Sequence, residues 1–255
     1  MRKYKLFEGR GEPRTIRPRN RRELERLINL IIEIEGYECD LNFIDTSLIT
    51  DMSHLFESSD FNGAINKWDV SNVKNMAYMF SEAQNFNQPI NEWDVSNVVD
   101  MSYMFNKARY FNQELNDWNV SSVVDMTKMF NKARYFNQEL NNWKVSNVID
   151  MTGMFKDAVT FDKPLNHWNV SNVHYMYEMF SGAQLFNQPL NNWDVSSVED
   201  MGEMFADARS FNQSLSHWDI SNVNQMDNMF YHADAFDLNN ISSWKLTDDE
   251  LSLIS

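Results

Sequence analysis

Cysteine is all but missing, since Cys39 is the only one among 255 residues. Neither an intrachain disulfide nor a cysteine-based zinc site can form, and a lone thiol of this kind reads as buried and inert. The five histidines include no ligand pair of the H-E-x-x-H type. Phosphate loops and dinucleotide fingerprints are also absent. No apolar run is long enough to cross a bilayer: the most apolar stretch, Leu27 to Ile34, is short and broken by Asn29 and Glu33. From Met1 to Thr15 there are basic residues but no apolar core of a secretion signal. These absences lead us to expect a protein that is not an enzyme, has no cofactor or metal, does not insert in a membrane and, as written, is cytoplasmic.

Positive charge is scarce outside the N-terminus. Residues 1–26 carry ten Lys/Arg against four Asp/Glu, and the remainder twelve against thirty-three, for a net charge of −15 overall. Such an acidic body repels phosphate, so no nucleic-acid partner is expected. Glycine and proline, seven and five, are few beside 16 Met, 18 Phe and 8 Trp, and hydrophobic residues reach 43%, which excludes simple disorder.

The unusual abundances have one origin. Trp stands at 68, 93, 118, 143, 168, 193 and 218, always 25 residues apart, and Trp244 follows after 26. With Trp as position one, position three is Val or Ile, four Ser, six Val, nine and twelve Met, thirteen Phe, sixteen Ala and nineteen Phe in all seven repeats. Leu or Ile fills position twenty-three in six of them. Fourteen Met and fourteen Phe fall in these columns, so the composition belongs to one unit copied in tandem. A degenerate unit starting at Ile44 precedes them, and Met104–Asn116 recurs verbatim at Met129–Asn141.

The spacing Leu115-x-x-Trp118-x-Val120-x-x-Val123 is that of a leucine-rich strand turn. It predicts a short strand with positions one and three facing inward and position two outward. Asn or Asp at position eight in five repeats resembles a helix N-cap, and the apolar stripe at nine, twelve, thirteen and sixteen predicts a helix of about ten residues. Pro89, Pro164 and Pro189 at position twenty-two predict a turn. The Asn/Asp column at position twenty and the Ser column at four are expected to satisfy backbone groups between coils rather than bind a ligand. The resulting expectation is an α/β solenoid of leucine-rich-repeat type: about eight 25-residue coils, short parallel strands on one face and short helices on the other. His167 and His217 share one phase but lie two coils apart, roughly 10 Å at strand spacing, too far for one metal ion.

The ends depart from the unit, as solenoid ends must. Residues 1–19 read as a basic mobile arm. Residues 20–43 read as a helical N-terminal cap with a first strand: Asn20-Arg21-Arg22-Glu23 resembles a capping box, Leu24, Leu27, Ile28, Ile31 and Ile32 form a stripe, and Gly36 follows as a stop. Residues 44–243 hold the repeats, and 244–255 a C-terminal cap.

The unit W-D-V-S-N-V-x-D-M-x-x-M-F-x-x-A-x-x-F-N-x-P-L-N resembles the 25/26-residue repeat of bacterial surface proteins over about residues 40–244. That family includes mycoplasma lipoproteins and is related to BspA-like leucine-rich-repeat proteins. The resemblance implies a leucine-rich-repeat-like solenoid, a bacterial origin and, by family habit, a place at the cell surface. Some relatives are thought to bind host proteins or act as adhesins. No signal peptide or lipidation cysteine of such proteins is read near Met1, so a surface location is not expected from the sequence as written, and the family brings no catalytic motif.

The expected function is therefore a non-catalytic scaffold that binds a protein on its strand, or concave, face. The alternative is a structural or assembly element, or an adhesin-like surface protein with no intracellular partner. Outward strand positions twenty-five and two supply the candidate residues: Asp69, Glu92, Asp94, Asp117, Asn119, Lys144, His167, Asp194, His217 and Asp219. Their acidic character points to a protein partner bearing a basic patch.

Overall fold

The computed structural model describes residues 15–255. The expected arm falls largely outside these residues. Its last part is not free: Ile16 pairs in parallel with Ile44, and the Arg17 guanidinium reaches Asp45 at 3.2 Å and the Ser47 hydroxyl at 2.9 Å. Ile16 and Arg17 of the expected arm are thus in contact with the first unit.

Helix α1 spans Arg21–Glu35. Asn20 caps it by accepting from the Glu23 amide, and the Glu23 carboxylate turns back to the amide of Arg19, one residue before the cap. Leu24, Ile28 and Ile31 are buried, and Gly36, at φ 90°, ends the helix with its amide on the Ile32 carbonyl. A 3-10 helix over Leu238–Trp244 and helix α2 over Asp248–Ile254 stand at the other end. The end of α2 accepts from the last repeat, through Asn228 N–H to Leu253 O and Phe230 N–H to Ile254 O.

Between Gly36 and Asp237 the structure departs from expectation: among the described residues no helix occurs there, and apart from Ile44, which pairs with Ile16, the parallel pairing is confined to single-residue bridges at position eight. The stretch read as a helix is a train of turns. Positions eleven and fifteen adopt left-handed backbone in every repeat, as at Tyr78 (φ 59°), Glu82 (φ 60°), Tyr103 (φ 57°) and Lys107 (φ 58°), with glycine only at Gly153 and Gly182. A left-handed residue every fourth position cannot belong to an α-helix. The Asp at position eight caps a turn, not a helix, with Asp100 Oδ1 accepting from the Ser102 amide at 2.9 Å.

The amides of this stretch are nonetheless satisfied. Alternate ones donate to the next repeat: Met76 to Asp100 O, Tyr78 to Ser102 O, Phe80 to Met104 O, all at 2.9 Å, and Glu82 to Asn106 O at 2.6 Å. Those between them close local turns, as Met79 to Met76 O and Ala83 to Phe80 O. The backbone pairing between repeats therefore lies where helices were expected.

The expected strand face is correspondingly unpaired along its backbone. Positions one to three are extended and flanked by turns at twenty-four and twenty-five and at four and five. Side chains join neighbouring repeats here: Asn97 Nδ2 donates to Ser71 O at 2.8 Å, and the His167 amide donates to Asn141 Oδ1 at 3.0 Å. Position-twenty Asn does the same nearby, with Asn87 Oδ1 accepting from the Asn112 amide and from Gln113 Nε2. The prolines at position twenty-two sit in the extended segment before the turn, not in it.

The core between the two faces consists of the expected columns. Trp143 is 1% exposed, and the Met and Phe columns of the central repeats are fully buried. Indole rings of successive repeats lie parallel at 6.2–6.5 Å, as in Trp143–Trp168 (6.2 Å) and Trp118–Trp143 (6.5 Å). Each indole N–H is satisfied by a carbonyl in the neighbouring coil, as Trp143 Nε1 to Leu115 O at 2.8 Å. Phe105, Phe130 and Phe155 stack at 5.6 and 5.7 Å, so this column also runs unbroken from repeat to repeat. Cys39 is half-buried against this core, and burial pushes its thiol up from the ordinary value.

Candidate interaction surface

The ten candidate residues are all exposed, while the Trp and Val columns between which they stand are buried or nearly so. They do not lie on strands. Position twenty-five closes one turn and position two opens the next, and the correction has a physical consequence: most position-two side chains are engaged in the turn itself. Asp94 Oδ1 accepts from the Ser96 amide at 3.1 Å, and Asp194 Oδ1 from both the amide and hydroxyl of Ser196 at 3.1 and 2.7 Å. Asn119 and Asp219 accept from Ser121 and Ser221 in the same way. Hydrogen bonds from Ser96 hold the Asp94 carboxyl below the usual aspartate range, and those from Ser221 do so for Asp219. Part of the Asp/Asn preference at position two is thus a demand of the turn.

The structure brings some candidates together. Lys144 and His167 line one depression of about 380 Å³ with Asn142 and Asn169. Asp117 lines another of about 260 Å³ with Glu114, Asn116 and Glu139. Glu114 and Glu139, at position twenty-two, were not among the candidates, and their signal was the verbatim duplication that contains them both. Glu139 is shared with Lys163, whose Nζ lies 3.3 Å away.

No concentrated acid–base centre accompanies these surfaces among the described residues. His54 pairs with Glu57 at 2.7 Å and His174 with Glu199 at 3.0 Å, on different repeats. No group of three metal-ligating side chains occurs among the described residues. Tyr177 donates to Glu203 at 3.1 Å, and burial with the neighbouring carboxylates of Glu178 and Glu203 pushes its hydroxyl up to about 12. Among the described residues no helix is long and apolar enough to cross a membrane.

No curated protein and no solved structure matches the chain. One family profile does, described as "Mycoplasma protein of unknown function", over residues 26–143, 114–201 and 165–250, three overlapping stretches that follow the tandem repeat. With nearly all of the repeat region matched, the chain belongs to this Mycoplasma protein family, DUF285.

Proposed function

We propose that the chain is a non-catalytic, one-sided solenoid scaffold that binds a protein partner along the stripe formed by positions twenty-five and two. The observation that carries this reading is a regular alternation: in every repeat these two side chains are exposed while positions one and three are buried or nearly so. Turn hydrogen bonds fix the Asp and Asn side chains of position two before any partner arrives, which lowers the ordering cost of docking. Asp69, Glu92, Asp94 and Asp117 give the first half of the stripe, beyond Lys67, a net acidic character that suits a basic patch.

The test uses a fluorescent oligolysine peptide as a stand-in for that patch. Association should slow as salt rises, because exposed charges are screened beyond a Debye length of about 8 Å at physiological ionic strength. The variant Glu92→Lys/Asp94→Lys/Asp117→Lys should lose most binding. A variant with the same charge change elsewhere, Asp227→Lys/Asp234→Lys/Asp249→Lys, should lose little. Lys144 already occupies position two and Lys67 position twenty-five, so the substitutions are compatible with the fold. Equal losses in the two variants would reject the stripe as the docking site.

A further inference from the structure

The verbatim duplication Met104–Asn116 and Met129–Asn141 extends to surface positions that elsewhere differ from repeat to repeat. Position fifteen runs Glu82, Lys107, Lys132, Asp157, and position seventeen runs Gln84, Arg109, Arg134, Val159. Residues 27–255 hold only twelve Lys/Arg, and four of them line a single groove of about 460 Å³: Lys107, Arg109, Lys132 and Arg134. The duplication sets one Lys-x-Arg pair beside its copy on the same face of the adjacent repeat, so four cations stand together on an otherwise acidic body.

The groove is also shaped for recognition. Lys107 and Lys132 project from left-handed backbone whose amides bond the next repeat, at 2.6 Å to Asn131 O and 2.7 Å to Lys156 O. Their ammonium groups are partly matched, Lys107 to Glu82 at 2.6 Å and Lys132 to Asp157 at 4.0 Å. The guanidinium groups are not matched: among the described residues neither Arg109 nor Arg134 has a carboxylate within ion-pair distance. Arg109 lies over the rings of Tyr110 and Tyr135, at 5.3 and 5.9 Å, and the two rings stack at 5.6 Å with 46% and 42% of each residue exposed. Stacking on aromatic faces holds an arginine in place while leaving its N–H fork open to a carboxylate.

We propose that this groove docks an acidic, extended segment of a partner protein, with Arg109 and Arg134 each taking one carboxylate. Charge complementarity selects the occupant: a local run of Glu or Asp meets four cations against the single lining carboxylate of Asp157, whereas a long polyanion such as a nucleic acid meets the surrounding negative surface as well. Geometry fits the same occupant. The Tyr110 and Tyr135 rings, one in each repeat, stand 5.6 Å apart beside the arginines, and alternate side chains of an extended peptide are about 6.7 Å apart. Over two repeats that mismatch is within the reach of a glutamate, so two carboxylates can be held at once. The groove stands apart from the acidic stripe in position and sign, so either can fail without the other.

The experiment titrates the full chain into a fluorescein-labelled peptide of alternating glutamate and serine and follows anisotropy. Binding should weaken with added salt and should fall about tenfold in Arg109→Gln/Arg134→Gln, the loss expected for two charge-assisted contacts. Glutamine already stands at position seventeen in Gln84 and Gln184, and unchanged circular dichroism and melting will show that the variant is folded. The variant Glu92→Lys/Asp94→Lys/Asp117→Lys should retain peptide binding. Absence of binding to the wild-type chain, equal binding by the arginine variant, or tighter binding of a single-stranded oligonucleotide of matched charge would each overturn the proposal.

Discussion

The two faces of the repeat join their neighbours by different means. At positions eight to fifteen the backbone itself crosses, with amides such as Tyr103 donating to Thr127 O at 2.7 Å. At positions twenty-four to five the crossing is made by side chains, chiefly Asn, as in Asn97 Nδ2 to Ser71 O. Backbone pairing needs no particular residue but demands a left-handed φ twice per repeat. Side-chain pairing demands particular residues but leaves the backbone extended. This difference explains why positions eleven and fifteen vary freely among Tyr, Lys, Glu, Asp, Asn, His and Gly yet include no β-branched residue. It also explains why Asn or Ser recurs at position five: where Asn is replaced by Ser122, its hydroxyl bonds Ser96 O at 2.7 Å.

The largest effect should come from removing what both faces share. Trp143→Ala, in the middle of the core, should cost ~3–5 kcal/mol, as for large buried aromatics generally. Trp244→Ala should cost less, because Trp244 is only partly buried at the end of the stack. Urea denaturation of the two variants measures the comparison, and equal losses would contradict a core that is better filled at the centre.

Proline distinguishes the faces more sharply. Tyr103→Pro removes the amide that donates to Thr127 O and is incompatible with φ 57°, so a loss of about 3 kcal/mol or more is expected. Glu139→Pro places proline where Pro89, Pro164 and Pro189 already stand, and should be neutral or stabilise by about 0.4–1 kcal/mol. Thermal melting of this pair gives opposite signs if the faces differ as described.

On the side-chain face, Asn97→Ala should cost about 1 kcal/mol for the lost bond to Ser71 O. Asn97→Ser should recover part of it, as Ser122 does in the following repeat. Equal destabilisation by Ala and Ser, read from denaturant midpoints, would mean that the side-chain bridge is not what matters there.

The smallest effect concerns pH. Burial, together with the neighbouring carboxylates of Asp100 and Asp150, raises the Asp125 carboxyl above the ordinary aspartate value, against hydrogen bonds from Thr127. The folded state therefore holds this proton more tightly than the unfolded chain does. Its contribution falls as pH rises from the ordinary aspartate value through the raised one, and at neutral pH the charge is a net burden. Asp125→Asn should modestly raise the melting temperature at neutral pH and lose that advantage as pH falls through the window. Asn keeps the turn, since Asn75 Oδ1 accepts from Ala77 in the same column. A variant whose gain does not shrink in acid would contradict the assignment.

The period, the buried columns and the capping residues of α1 could be read from the chain alone, because a unit repeated seven times averages out local ambiguity. Trp at position one, Met at nine and twelve and Phe at thirteen and nineteen are apolar in every copy, and only burial explains that. The exposure of positions twenty-five and two followed from the same alternation. What occupies positions eight to fifteen did not. An apolar i, i+3, i+4, i+7 stripe arises equally from a helix and from turns with a left-handed residue every fourth position, because both return the chain to one face at that interval. The two differ in where the amides bond, and for Met76 the acceptor is Asp100 O, 24 residues away. Side-chain pattern carries no record of such a partner. The basic groove was hidden for a related reason: Lys107, Arg109, Lys132 and Arg134 share it on a train of turns whose left-handed backbone at Lys107 and Lys132 the side-chain pattern does not record.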